Sequence, residues 1–157
     1  MAEDLHERIK AGIIQIVKDL QIEGIGGRVH DQLLPDPANM VFPAIAVTIE
    51  GESERLTGGD TLIQFNEYPT RVFLMDRVQI QVRHDLQRFY FRTRKTLIDA
   101  FNQRSKDGNG EKIPGAHEVF KVDVRTSVII DPKLQQYQFV VSGFTVLCEA
   151  SEPRRKF

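Results

Sequence analysis

Hydrophobic and polar positions alternate in two long runs over the last third of the chain. In residues 119–130, Phe120, Val122, Val124, Thr126, Val128 and Ile130 fall on one side. Lys121, Asp123, Arg125 and Ser127 fall on the other. That period predicts a strand with one buried and one wet face. Residues 137–149 are apolar on both sides, with Tyr137, Phe139, Val141 and Leu147 against Val140, Phe144, Val146 and Cys148. Such a strand needs cover on both faces, and a neighbouring subunit is one source of it. The turn Asp131-Pro132-Lys133-Leu134-Gln135-Gln136 joins the runs into a predicted hairpin.

The first element follows a different period. Leu5, Ile9, Ile13, Ile16, Val17 and Leu20 recur at spacings of three and four, predicting an amphipathic helix from Asp4 to Gln21. Glu3, Asp4 and Glu7 lie near its positive end, and Gly24, Gly26 and Gly27 are the expected stop. A short strand at 28–32 and a two-proline loop at 34–40 follow. Ile45, Val47 and Ile49 alternate through a strand at 44–50. Residues 51–60 read as an exposed polar loop, 61–65 as a weaker strand broken at Tyr68-Pro69, and 71–83 as a strand carrying Val78, Ile80 and Val82. Asp85 is the expected N-cap of a helix to about Arg104, with Leu86, Phe89, Thr93, Leu97 and Phe101 on its apolar stripe. The glycine-bearing segment 105–115 reads as a mobile loop.

This order predicts an α+β fold: an antiparallel β-sheet with two helices packed on one face and a long C-terminal β-hairpin. The 157 residues fit a single domain, 1–157, with 150–157 a flexible basic tail. A strand of 12–13 residues spans about 40 Å, against a radius of gyration of about 15 Å for a domain this size, so the hairpin bends or projects.

Composition narrows the function classes. The net charge is −1, which does not suit a general polyanion binder. No apolar run approaches a membrane span. Acids near the start, where a signal peptide carries basic residues, argue against one. The lone Cys148 lies in an apolar run, as a small buried hydrophobe does, and a cytosolic history is expected. Charge is unevenly spread, however. Residues 1–70 hold five basic against twelve acidic side chains, and residues 71–95 hold seven against two. Opposed blocks of this kind orient subunits or cancel within a monomer. The candidate subunit or lumen contacts are Arg71, Arg77, Arg83, Arg88, Arg92 and Lys95 on the basic side, with Glu52, Glu54 and Arg55 in the polar loop.

Catalytic patterns are weak. His6, His30, His84 and His117 do not share metal-ligand spacing, no serine sits in a G-x-S-x-G elbow, and the Gly24–Gly27 stretch lacks the Lys-Ser/Thr of a phosphate loop. No cofactor, metal or small-molecule substrate is expected. Arg83, Arg88, Arg92, Arg94 and Lys95, interleaved with Phe89, Tyr90 and Phe91, allow a nucleic-acid surface as a competing reading. An enzyme site shared between subunits is a third.

The order of elements resembles the tail terminator proteins of long-tailed bacteriophages, and related neck proteins. Four features carry the resemblance. They are an amphipathic helix running into a glycine turn, a proline-led strand at Phe42-Pro43-Ala44-Ile45-Ala46-Val47, a basic strand at 76–83 feeding a helix with Lys95-Thr96-Leu97-Ile98-Asp99-Ala100-Phe101, and a hairpin ending in 144–149 before Pro153-Arg154. It is a pattern of elements across nearly the whole chain rather than a sharp motif. The resemblance implies a virion protein made in the host cytoplasm. It would cap the tail tube as a ring, typically hexameric, and meet a head-completion or connector protein. DNA would pass through the lumen without being read.

Overall fold

The computed structural model describes residues 4–22, 25–31, 44–49, 54–55, 62–77, 83–106, 112–126 and 139–153. The elements are α1 (Leu5–Asp19), β1 (Val29–Asp31), β2 (Ala44–Ile49), β3 (Glu54–Arg55), β4 (Ile63–Arg77), α2 (Arg83–Lys106), β5 (Val119–Thr126) and β6 (Phe139–Pro153). The fold is α+β. Five strands lie in the order β1-β2-β4-β6-β5, and β3 pairs with β4 off that path.

The sheet is mixed, not purely antiparallel as the sequence suggested. β1 runs parallel to β2, with Val29 opposite Ile45 and Asp31 opposite Val47. The other pairings are antiparallel. A parallel pair requires a crossover of about a dozen residues, and the stretch between Asp31 and Ala44 supplies that length.

β4 is one strand where the sequence predicted a break at Tyr68-Pro69. It pairs with β6 continuously from Ile63 opposite Pro153 to Arg77 opposite Phe139. A proline inside a strand leaves no amide for the ladder. Among the described residues β2 reaches β4 only as far as Thr70 and β3 only as far as Glu67, so none pairs with Pro69 on that flank and the missing amide is tolerated. Its carbonyl accepts a hydrogen bond from His6 Nε2 at 3.0 Å. The same pairing makes Glu54 and Arg55 strand residues rather than loop. Val78, Ile80 and Val82 lie outside the described residues.

Helix boundaries also move. α1 ends at Asp19, before the glycines, and Gln21 takes the left-handed turn at φ 47°. Leu5, Ile9, Ile13, Ile16 and Val17 are buried as the periodicity predicts. Each contributes about 1.5–3 kcal/mol relative to exposure. Gly12 shares their face, and no Cβ fits there, since it would overlap Ile113 Cγ2 and the Pro114 carbonyl oxygen. Residues 112–115, within the stretch 105–115 expected as a mobile loop, are therefore held in place: Ile113 is fully buried on α1, and Arg8 pairs with Glu118 while donating to the Gly115 carbonyl. α2 begins at Arg83, which places Asp85 inside the helix rather than at its cap. Thr93, Leu97 and Phe101 are buried as predicted.

α1 packs on β1 and β2, and α2 on β5 and β6. Their apolar side chains join Ile45, Val47, Val72, Leu74, Val122, Phe144, Val146 and Cys148 in one cluster. Phe101 and Phe144 meet with ring centroids 6.1 Å apart. β6 continues to Pro153, so residues 150–153, expected in the tail, are strand. The turn 131–136 and residues 154–157 lie outside the described residues.

Candidate assembly surface

Cross-strand register assigns side chains to the two faces of the sheet. Tyr68, Thr70, Val72 and Leu74 of β4 share one face with Phe144, Val146 and Cys148 of β6 and with the core. Ile63, Phe65, Glu67, Arg71 and Phe73 share the opposite face with Thr145, Leu147 and Glu149. Lys121, Asp123 and Arg125 of β5 lie there too, as partners of Glu149, Leu147 and Thr145.

This second face is closed at one end and open at the other. Ala44, Ala46, Thr48 and Thr145 are buried within the single chain, so the two-sided apolar character of β6 does not by itself demand a neighbouring subunit there. The open end holds two exposed large apolar residues, Phe120 at 43% exposure and Ile63 at 40%.

A bulge creates this patch. Val119 pairs with Ala150 but Lys121 pairs with Glu149, leaving Phe120 as the extra residue. The phase shift buries Val119 and turns Phe120 outward, where the sequence period had placed Phe120 with the buried side. Bulges re-aim side chains in this way. Phe120 then meets Phe65 edge to face, with centroids 5.4 Å apart. Charges border the patch: Lys121 Nζ lies 3.3 Å from Asp123 and 3.8 Å from Glu149.

The sequence-predicted contact residues are dispersed. Arg71 is half-buried on the second face, with its guanidinium 5.6 Å from the Phe73 ring centroid. Arg77 ends β4, opposite Phe139. Arg83 opens α2 and Arg88 lies within it. Arg92 and Lys95 are exposed on α2, as the helix pattern predicts. Glu54 and Arg55 stand opposite Glu67 and Asn66 in the β3–β4 register. Glu52 lies outside the described residues. Arg94, grouped with the basic surface in the nucleic-acid reading, is instead buried and donates to the Gly143 carbonyl at 2.8 Å. Burial lowers its pKa. It holds α2 to β6 and is withdrawn from any external ligand.

A second polar cluster escaped the sequence reading. His6 on α1 meets Tyr68 edge to face at 5.2 Å, and its Nε2 lies 3.4 Å from Thr70 Oγ1. Tyr68 donates to Glu152 at 2.5 Å, and Asn66 donates to the same carboxylate. Burial holds the His6 pKa below its ordinary value, against the raising effects of its bond to Pro69 and of Asp4 and Glu7. A carbonyl only accepts, so the neutral ring carries its proton on Nε2. The sole hint in sequence was a histidine on an otherwise apolar helix stripe. Cys148 behaves as expected of a structural thiol, since burial raises its pKa to about 12.

Among the described residues no three His, Cys, Asp or Glu side chains gather as a metal site. No described helix is long and apolar enough to cross a membrane. The chain matches no model of a known protein family and no curated protein.

Proposed function

We propose that this protein is a non-enzymatic virion component of the tail-terminator type. Copies form a ring, hexameric by the resemblance, that caps the tail tube, ends its growth and presents a surface to a head-completion or connector protein. In this reading both helices cover one face of the sheet, the hairpin of β5 and β6 extends beyond it, and DNA passes through the lumen without sequence readout.

The carrying observation is the apolar patch of Ile63, Phe65 and Phe120, held on a paired sheet. Exposed apolar side chains grouped this closely mark association surfaces more often than catalytic ones. Ring closure requires a heterologous contact, and the cationic α2 surface at Arg92 and Lys95 supplies a second, chemically different patch for it. The test is the mass of the protein across concentration and salt, with imaging of large species, with and without tail tubes. Rings, alone or on tubes, support the reading. A monomer that ignores tubes refutes it. If that monomer binds DNA with a steep salt dependence lost in Arg92→Ala plus Lys95→Ala, the competing nucleic-acid module takes its place.

A further inference from the structure

Among the described residues, β5 is the outermost strand of the sheet. It pairs with β6 on one flank, and among the described residues no strand pairs with the other. An open edge of this length is a template for another strand. Edges are commonly guarded by charge, and here the guard alternates in sign along Lys121, Asp123 and Arg125, all exposed.

Alternation makes the edge self-complementary in one register. Antiparallel self-pairing centred on Asp123 would set Lys121 against Arg125 of a second copy, a like-charge contact. Centred on Val124, it sets Asp123 opposite Arg125 of the second copy, and Arg125 opposite that copy's Asp123. The segment used, 122–126, lies beyond the bulge and pairs regularly with β6 from Val122 opposite Cys148 to Thr126 opposite Phe144. Val124 remains only partly buried although its register partner Val146 is fully buried. Its open flank is the side a second strand would cover. Lys121 already pairs with Asp123 and Glu149, whereas Arg125 has no ion pair among the described residues and is free to reach across.

We propose that two copies of this chain pair edge to edge through β5, antiparallel, about a two-fold axis at Val124. The proposal does not rest on the ring reading: a β5 dimer without rings keeps it and refutes the ring, and rings indifferent to β5 do the reverse. The test is the association constant at low salt, by sedimentation equilibrium. Arg125→Asp replaces two attractions with two repulsions and weakens the dimer at least about tenfold. Adding Asp123→Arg to that variant restores pairing, because the charges are exchanged in the same register. Val124→Cys cross-links to itself under mild oxidation, since the two positions face each other at cross-strand spacing, and buried Cys148 stays out of the reaction. A chain monomeric at millimolar concentration, a dimer unmoved by Arg125→Asp, or a double variant no better than the single one overturns the proposal.

Discussion

Replacing Gly12 with alanine isolates the contact between α1 and segment 112–118. In an ordinary helix interior the change stabilises by about 1 kcal/mol, because glycine has more backbone freedom to lose. Here the added Cβ would sit closer than 3.0 Å to both Ile113 Cγ2 and the Pro114 carbonyl oxygen, with the Pro114 nitrogen at 3.3 Å. Overpacking costs about 1–3 kcal/mol. The upper end applies because one obstacle is backbone and has no rotamer to turn aside. The helix gain offsets part of that, leaving a loss of about 2 kcal/mol, or a Tm lower by about 4–8 °C for a chain of this size. Urea unfolding followed by circular dichroism measures it, with an unchanged slope marking a stability effect alone. The control is Ala11→Gly at the exposed neighbouring position, which should lose about 1 kcal/mol by propensity. In a Gly12→Ala background, Ile113→Ala should cost less than it does alone, the non-additivity of touching sites. A Gly12→Ala protein as stable as the parent, or more so, refutes the close approach and with it the placement of Ile113.

Three further outcomes follow from the same contacts. Stability should fall on acidification in two stages. His6 has a folded pKa below its ordinary 6.5, so the unfolded chain binds the extra proton and stability declines as pH drops below about 6.5; His6→Gln should flatten that stage, and an unchanged slope would refute the assignment. The bond from Arg8 holds Glu118 below its ordinary 4.5, so its contribution is present above that pH and is lost as pH falls through the folded value; Arg8→Ala should remove this second stage. Cys148, its thiol raised to about 12, should resist thiol reagents at neutral pH until the protein unfolds, and rapid labelling of the native chain would contradict its burial. Phe120→Ser plus Ile63→Ser should leave the circular dichroism spectrum intact and reduce association measured by light scattering, whereas undiminished association would remove the patch from any interface.

Much of the architecture was legible because side-chain period follows directly from backbone geometry. The α1 stripe and the buried stripe at Thr93, Leu97 and Phe101 appear where spacing placed them, and β2 forms where alternation predicted a strand, although it is buried on both faces. Features governed by a neighbouring element were not legible. Pro69 reads locally as a strand breaker, and only the lack of a pairing partner on that flank among the described residues explains why it is not one. Arg94 reads as one more surface cation, yet the Gly143 carbonyol it meets is 49 residues away in sequence. Of the proposed contact residues, Arg92 and Lys95 were placed by helix period alone, while Glu54 stands opposite Glu67 through a pairing that no local signal announces.

Phe120 joins the fold to its surface. Had β5 kept a strict two-residue period, Phe120 would face the core beside Val122 and the second face would lose its central aromatic. One unpaired residue between Val119 and Lys121 reverses that outcome. It buries the smaller valine, exposes the larger phenylalanine and seats it on Phe65. Exposing phenylalanine costs hydrophobic stabilisation of about 1.5–3 kcal/mol that burial would supply. Deleting Val119 should therefore close the bulge, set Phe120 opposite Ala150 on the core side and raise stability while removing the patch. If the deletion variant gains stability and loses association together, the bulge serves assembly at the expense of folding. If it loses stability, the bulge is a packing requirement and the patch its by-product.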